Sequence, residues 1–257
     1  MVDRGRKGER RVSLVGAGPG DPRLLTLGGL DRLKEADVVI YDRLVSEAVL
    51  DMIPRGVAKV YGGKDPGPGG EKEQRKLNDL MLREAKSGKH VVRLKGGDPF
   101  LFSRGGEEAE FLRKNGVEFE VVPGVTSALA VPAYAGIPLT YRGLSSSVTV
   151  VTGQEAGSKR TLDWSSIAEG SDVVVVLMGA AKVKEIATEL LDAGKPAKTP
   201  LAAIMWGTTK KQRTVSTTLG EAAKGGALTK KIEAPSVIVI GKVASLARKL
   251  RWVRESA

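Results

Sequence analysis

Two glycine-rich turns are the features of this sequence whose residue types and spacing point most directly to chemistry. The first, Gly96-Gly97-Asp98-Pro99, follows an apolar run that begins at Val91. The second, Gly16-Ala17-Gly18-Pro19-Gly20, follows a similar run that ends at Val15. Adjacent glycines let the main chain approach a ligand where any Cβ atom would collide, and α/β proteins bind ligands at such strand ends. The two turns therefore predict a small-molecule site.

Charged side chains lie close to these turns in the sequence. Asp42 comes directly after a predicted strand, where the residues alone suggest that it caps the next turn. Arg104 and Glu107 are three positions apart at the start of a predicted helix, so they share one face of it. They form either an ordinary exposed ion pair or, with Arg142, a site for a carboxylate, because a guanidinium pairs bidentately with carboxylates.

Strands and helices that alternate along the chain must hold these turns in place. Strands are predicted at 11–15, 37–41, 59–61, 91–94, 118–122, 147–152, 172–178, 201–205, 213–216 and 236–240. Helices are predicted at 27–35 with Thr26 as the cap, at 71–86, after Ser103 as the cap, at 128–135 and at 243–251. This alternation predicts an α/β fold.

Composition excludes several classes of site. The 257 residues include no cysteine and one histidine, His90, which rules out disulfides, cysteine nucleophiles and multi-histidine metal sites. We predict no metal, a cytoplasmic location, which suits a chain without cysteine, and a surface position for His90. No apolar run approaches the ~20 residues that a membrane span needs, so no membrane partner is expected. The basic residues 1–11 are predicted to be a flexible tail.

The formal charge of +11 favours an anionic partner. Nucleic acid is one candidate, but the basic residues are spread along the chain and aromatic residues, at 4%, are few for base stacking. A small molecule with several carboxylates is the other candidate, and we favour it over nucleic acid. Most of the 41 lysines and arginines are expected to lie on the solvated surface and to bind no partner.

A flavin- or nicotinamide-binding oxidoreductase is a further alternative, because V-G-A-G-P-G at 15–20 resembles a dinucleotide-binding fingerprint. That fingerprint needs its third glycine at position 21, where this chain has Asp21 followed by Pro22. The spacing therefore argues against a dinucleotide site.

Several stretches resemble motifs of one family. K-G-G-D-P-F-L-F-S-R-G-G-E-E at 95–108 is similar to the signature of uroporphyrinogen-III C-methyltransferases, members of the tetrapyrrole methylase family. V-G-A-G-P-G-D-P at 15–22, Y-D-R-L-V at 41–45 and P-G-V-T-S at 123–127 match further motifs of that family. The loop at 65–70 departs from the family pattern.

The resemblance implies roles for individual residues. It implies that Asp42 is a proton acceptor and Lys64 a proton donor. Arg104, Glu107 and Arg142 are predicted to bind the substrate from their own chemistry and position, as described above. The residues implied to bind the methyl donor are Pro19, Gly96, Gly97, Asp98, Leu101, Thr126, Ser127, Met178 and Gly207.

The resemblance also implies a fold and a reaction. The fold is that of a two-domain α/β tetrapyrrole methylase, with domains at 12–141 and 142–257 and a donor cleft between them. The reaction is methylation of uroporphyrinogen III at two ring positions by S-adenosyl-L-methionine, which gives S-adenosyl-L-homocysteine, precorrin-1 and then precorrin-2. A homodimer is expected. A methylase of a later precorrin is the nearest alternative within the family.

Overall fold

The computed structural model describes residues 11–63, 70–153 and 162–255. The chain forms two compact units, which divide between Thr126 and Ser127. The predicted domain boundary after residue 141 falls inside the second unit and stays a prediction. The predicted tail lies outside the described residues, apart from Arg11.

The first unit is built on a parallel five-stranded sheet with the order β3-β2-β4-β1-β5. Its strands are β1 Arg11–Gly16, β2 Val38–Tyr41, β3 Ala58–Tyr61, β4 Val91–Lys95 and β5 Glu118–Val122. Its helices are α1 Leu27–Glu35, α2 Glu47–Leu50, α3 Gly70–Lys86 and α4 Gly105–Lys114. Parallel strands covered on both faces need near-continuous apolar runs, and Val91, Val92 and Leu94 of β4 are all fully buried.

The helices of the first unit cover opposite faces of this sheet. Leu33 of α1 and Val49 of α2 pack on one face, whereas Leu77 of α3 and Leu112 of α4 pack on the other. Right-handed crossovers explain this, because the connection after β1 runs one way across the sheet and the connection after β4 runs the other way. The carboxyl ends of β1 and β4 therefore form a topological switch point, the place where open α/β sheets bind ligands.

The second unit contains a mixed sheet with the order β6-β7-β10-β8-β9. Its strands are β6 Val148–Thr152, β7 Val173–Leu177, β8 Pro200–Met205, β9 Arg213–Thr218 and β10 Ser236–Ile240, and β10 is antiparallel to both of its neighbours. Its helices are α5 Ser127–Tyr134, α6 Trp164–Gly170, α7 Val183–Asp192, α8 Leu219–Ala223 and α9 Ala247–Leu250. One core joins α6, α7 and α8 to the sheet.

All ten predicted strands are confirmed to within two residues at each end, and those at 118–122 and 236–240 match at both ends. Thr26 caps α1 as predicted, since its Oγ1 accepts a hydrogen bond from the Gly29 N–H at 3.1 Å. The predicted helix at 243–251 is instead a 3₁₀ turn, Lys242–Leu246, followed by the short α9. None of the helices in the described parts of the chain is long and apolar enough to cross a membrane.

Two further sequence-based assignments are wrong. Ser103 does not cap α4, because its hydroxyl donates to the carbonyl oxygens of Asp98 and Pro99 and the helix begins only at Gly105. His90 is not a surface residue but half-buried, with Nε2 2.7 Å from the hydroxyl of Ser13 and Nδ1 3.2 Å from the carbonyl oxygen of Glu35. Both side chains find main-chain or side-chain partners that their sequence neighbours do not reveal.

Candidate functional site

The two glycine-rich turns lie side by side at the switch point. The Gly97 N–H donates to the Gly18 carbonyl oxygen at 2.8 Å, and the Gly18 N–H donates to the Gly97 carbonyl oxygen at 3.2 Å. Both glycines have positive φ, +75° for Gly18 and +67° for Gly97, a conformation that side chains disfavour. The sequence therefore uses glycine here to join two turns through their main chains.

A third turn, after β5, completes this edge of the sheet. A Cβ atom on Gly124 would lie 2.2 Å from the Gly97 carbonyl oxygen and 2.7 Å from the Gly16 Cα. The Asp98 carboxylate accepts hydrogen bonds from the Gly124 N–H at 3.1 Å and from the Phe100 N–H at 2.8 Å. The contacts of Asp98 thus hold two turns together, and its predicted role in donor binding stays a prediction.

Replacing Gly124 by alanine tests whether this close packing matters. The added methyl group would meet main-chain atoms of two other turns, which cannot move aside as a flexible side chain can. We expect the free energy of unfolding to fall by about 1–3 kcal/mol, the usual cost of overpacking, in chemical denaturation. Gly106→Ala serves as the control, because a Cβ atom there meets nothing within 4 Å and the residue does not have the positive φ that disfavours a side chain. Equal losses in the two variants would contradict the packing argument.

A cluster of buried charges lies beneath the carboxyl edge of the sheet, on the face that α3 and α4 cover. Arg93 and Lys95 of β4 are each 1% exposed, and Glu108 of α4 is 0% exposed. The Lys95 Nζ lies 2.9 Å and 3.0 Å from the two carboxylate oxygens of Glu108, and the Arg93 Nε lies 3.2 Å from one of them. Gln74 of α3 also donates to this carboxylate, at 3.1 Å.

Asp42 joins this cluster from the end of β2. Its Oδ1 accepts a short hydrogen bond from the Arg93 Nη2, and its Oδ2 lies 3.8 Å from the Lys95 Nζ. Its side chain is 28% exposed, whereas the other charged members are buried. The four charges sum to zero, and the Asp42 carboxylate is the member that solvent or a ligand can reach.

Burial and charge shift the ionisation of the buried members. Burial, together with the charge of Arg93, lowers the pKa of Lys95 below its ordinary value. Burial alone would raise the pKa of Glu108, but the charges of Arg93 and Lys95 outweigh it and hold that pKa below its ordinary value. Glu108 is therefore a stable buried anion, and Lys95 is a cation that burial disfavours.

The sequence analysis missed Arg93, Lys95, Glu108 and Gln74. A signal was present, because Arg93 and Lys95 alternate with apolar residues in a strand that a parallel sheet buries on both faces. Lysine and arginine are almost never fully buried unless they are paired. Two cations two positions apart in such a strand therefore predict buried acidic partners.

Left-handed main-chain conformations mark further loops at strand ends. Within the parts of the chain that the structure describes, five residues other than glycine have positive φ: Phe102, Arg104, Met178, Trp206 and Thr208. Phe102 and Arg104 follow β4 in the first unit, Met178 follows β7, and Trp206 and Thr208 follow β8 in the second unit. Such residues cost free energy and concentrate at functional sites. The strain therefore points to the same loops as the sequence motifs.

Arg104 and Glu107 form the ion pair that their spacing predicts. The Arg104 Nε lies 2.9 Å from Glu107 Oε1, and Arg104 Nη1 also donates to the carbonyl oxygen of Gly70 at 3.3 Å. The hydrogen bond with Glu107 raises the pKa of Arg104 above its ordinary value. Whether this arginine also binds a substrate carboxylate stays a prediction.

The remaining predicted site residues fall in both units. In the first unit, Pro19 lies in the turn after β1 and Gly96 faces Leu44. Leu101 lies in the loop before α4, and Thr126 is the last residue of the unit. In the second unit, Ser127 begins α5, Met178 exposes 48% of its surface and Arg142 is exposed. Gly207 packs on α5, because a Cβ atom there would lie 2.3 Å from Val131. Lys64 lies outside the described residues.

Hydrogen bonds of the Gln212 side chain hold the main chain next to Gly207. The buried Gln212 accepts a hydrogen bond from the Thr208 N–H at 2.8 Å and donates to the Tyr134 carbonyl oxygen at 3.4 Å. The sequence analysis singled out Met178 and Gly207 in this unit but not Trp206, Thr208 or Gln212. A tryptophan with positive φ is not a feature that sequence alone reveals.

A family model described as Tetrapyrrole (Corrin/Porphyrin) Methylases matches residues 11–223. Among solved structures, the uroporphyrin-III C-methyl transferase from Thermus thermophilus complexed with S-adenyl homocysteine is 44% identical, with a TM-score of 0.80. The match covers 92% of this chain and 99% of that one. A cobalamin biosynthetic enzyme, cobalt precorrin-4 methyltransferase, is 28% identical, with a TM-score of 0.78 over 93% of this chain and 98% of that one.

Curated relatives are longer than this chain. A siroheme synthase of Actinobacillus pleuropneumoniae is 48% identical over 246 residues, which make up 96% of this chain and 50% of the relative. A siroheme synthase of Yersinia pestis is 45% identical over 98% of this chain and 52% of the relative. The chain thus spans about half the length of the curated relatives that it matches.

Proposed function

The chain belongs to the tetrapyrrole methylase family, and on that premise we propose that it methylates uroporphyrinogen III with S-adenosyl-L-methionine. Two ring carbons accept methyl groups, so that precorrin-1 and then precorrin-2 are the products. The observation that carries the proposal is the 44% identity over nearly all of a uroporphyrin-III C-methyl transferase. The lower identity of 28% with cobalt precorrin-4 methyltransferase favours uroporphyrinogen III over a later precorrin.

The residues at the strand ends fit a methyl donor of this kind. The turns at Gly16–Gly20 and Gly96–Asp98 present main chain without bulky side chains, and Met178 is a partly exposed apolar side chain. When bound, the donor supplies a methyl group on a positively charged sulfur. Pro19, Gly96, Gly97, Asp98, Leu101, Thr126, Ser127, Met178 and Gly207 are the residues that we propose to bind it.

The reaction requires the protein mainly to position the ring carbon against the methyl group and to accept a proton. A pyrrole ring carbon is electron-rich, so no protein nucleophile is required to activate it. Holding the carbon in line with the methyl group supplies much of the rate. The ring must then lose a proton, and Asp42, an anchored carboxylate that is 28% exposed, is the proposed acceptor. We propose Lys64 as the matching proton donor.

The substrate's carboxylates call for positive groups. Uroporphyrinogen carries eight carboxylates, which suits a chain with a net charge of +11. We propose Arg104 and Arg142 as two of the groups that bind them. We propose Glu107 as the residue that orients Arg104, because its carboxylate holds the Arg104 guanidinium. A homodimer in the cytoplasm is the assembly and location that we propose.

Replacing either arginine by alanine should impair use of uroporphyrinogen. We expect Arg104→Ala and Arg142→Ala each to lower kcat/KM for uroporphyrinogen tenfold or more, which corresponds to roughly 1.4 kcal/mol. The affinity for S-adenosyl-L-homocysteine, measured by calorimetric titration, should stay within twofold. Arg83→Ala is the matched control, because Arg83 is exposed on α3 and its guanidinium pairs with Glu84. Wild-type kinetics in both test variants would place the anion-binding groups elsewhere.

A coupled assay tests the proposed function itself. Purified protein is incubated under reducing, anaerobic conditions with S-adenosyl-L-methionine, with and without uroporphyrinogen III. Formation of S-adenosyl-L-homocysteine that depends on uroporphyrinogen is the expected result. Formation that is no faster with uroporphyrinogen than without it would contradict the proposal.

A further inference from the structure

The charges around Asp42 form an unusual arrangement for a sheet interior. Two cations, Arg93 and Lys95, extend from one strand toward the same face and are each 1% exposed. The fully buried anion that meets them is the single carboxylate of Glu108. A buried positive charge without a partner is costly. The second anion that balances the cluster is Asp42, which is the proposed proton acceptor.

Each cation contacts both carboxylates. Arg93 reaches Asp42 through Nη2 and Glu108 through Nε, so its guanidinium bridges the two acids. Lys95 lies 2.9 Å from Glu108 and 3.8 Å from the Oδ2 atom of Asp42. One oxygen atom of Asp42 is therefore held by Arg93, and the other faces the ammonium group of Lys95.

Strand pairing and hydrogen bonds hold the charged residues of this cluster in place. β4 is a central strand, paired with β2 on one side and β1 on the other. Glu108, in turn, accepts a hydrogen bond from Gln74, whose side chain also donates to Asn78 at 3.0 Å. Packing and hydrogen bonds thus fix the two cations, and the cations in turn fix the carboxylate at the end of β2.

We propose that Lys95 is a positioning residue for Asp42: its ammonium group holds the Asp42 carboxylate in a fixed orientation at the carboxyl edge of the sheet. The importance of this for catalysis rests on the proposed function, whereas the electrostatic coupling of the two residues does not. Glu108 has a different role, because its carboxylate neutralises one of the two buried cations. Two positive charges can therefore lie next to the single accessible carboxylate of Asp42.

A purely structural role for the cluster makes a different prediction. If Lys95 only stabilises the fold, any change that restores buried charge balance should also restore function. Lys95→Met leaves two carboxylates and one guanidinium, whereas Lys95→Met combined with Glu108→Gln leaves one of each. We expect the double variant to be more stable than Lys95→Met alone but to keep the same loss of turnover.

The surroundings of the Asp42 carboxylate can be followed without any enzymatic activity. Protein labelled with ¹³C at the aspartate side-chain carboxyl carbon is examined by NMR at neutral pH, and Asp42→Asn identifies the signal of Asp42. Lys95→Met removes a positive charge that lies 3.8 Å from Oδ2 of Asp42. We expect the Asp42 signal to move in Lys95→Met and in the double variant, because both lack the ammonium group that faces Oδ2 of Asp42.

Activity provides the second readout. In both Lys95 variants we expect kcat for methyl transfer to fall by about tenfold or more, with KM for S-adenosyl-L-methionine unchanged. Lys89→Met is the matched control, because it also removes one lysine from this unit, but Lys89 is exposed and pairs with Glu84. It should leave the Asp42 signal and kcat unchanged.

The outcomes separate this inference from the proposed function. An unchanged Asp42 signal in a folded double variant would overturn the positioning role, whatever the activity. A moved signal together with wild-type kcat would overturn the link between that role and catalysis. A moved signal in the variants, when the wild-type protein transfers no methyl group, would support the coupling and refute the proposed function.

Discussion

Replacing Asp42 by asparagine should lower kcat for methyl transfer to uroporphyrinogen by about a hundredfold or more, the usual range for loss of a positioned base. Asparagine keeps the size of the side chain and can still accept a hydrogen bond from Arg93, but it cannot take a proton. The affinity for S-adenosyl-L-homocysteine should therefore stay within twofold of the wild-type value.

Steady-state kinetics and calorimetric titration together check this prediction. Asp51→Asn is the control, because Asp51 is an exposed residue at the end of α2. If Asp42→Asn turned over normally but melted at a lower temperature, Asp42 would be a structural cap, which is the role that the residues alone suggested.

Replacing Glu108 by glutamine should have the largest effect on stability. The change removes the fully buried anion between Arg93 and Lys95 and leaves two buried cations with one carboxylate. Removing one partner of a buried ion pair costs about 3–5 kcal/mol, and chemical denaturation at neutral pH measures it. Glu110→Gln is the matched control, because Glu110 lies on the same helix in an exposed pair with Lys114 and should cost about 0.5 kcal/mol or less.

The same variant predicts a dependence on pH. The pKa of Glu108 is lower in the folded protein than the ordinary value of 4.5. Its contribution to stability is thus present in full above about pH 4.5 and is lost as the pH falls through the folded-state pKa. The difference in unfolding free energy between wild type and Glu108→Gln should narrow as the pH falls below 4.5. A constant difference would mean that the charge of Glu108 does not matter.

The strands could be predicted from the sequence because each is a short run of β-branched and apolar residues bounded by glycine, proline or charge. The turns at Gly16–Gly20 and Gly96–Asp98 could be located because an apolar run ends directly before each of them. The helices α2, α6, α7 and α8 were missed. α6 and α8 are short, at seven and five residues, and so offer little helical periodicity to read.

The candidate site was predicted only in part, because its chemistry depends on contacts across the sheet. The sequence places Asp42 at a strand end, but only the pairing of β2 with β4 brings it to Arg93. The partner of those cations, Glu108, stands beside Glu107 in the sequence, yet one is buried and the other is exposed. Adjacent residues on a helix face different directions. The sequence pattern does not show which residue of the first turn faces the sheet.

The most direct test of the account is the number of methyl groups that the protein adds to uroporphyrinogen III. The protein is incubated anaerobically with uroporphyrinogen III and S-adenosyl-L-methionine carrying a trideuterated methyl group, and the tetrapyrrole is analysed by mass spectrometry. We predict a product with two labelled methyl groups, preceded by a species with one, and neither in Asp42→Asn over the same time. Unlabelled uroporphyrinogen after full incubation with folded, donor-binding protein would contradict the account.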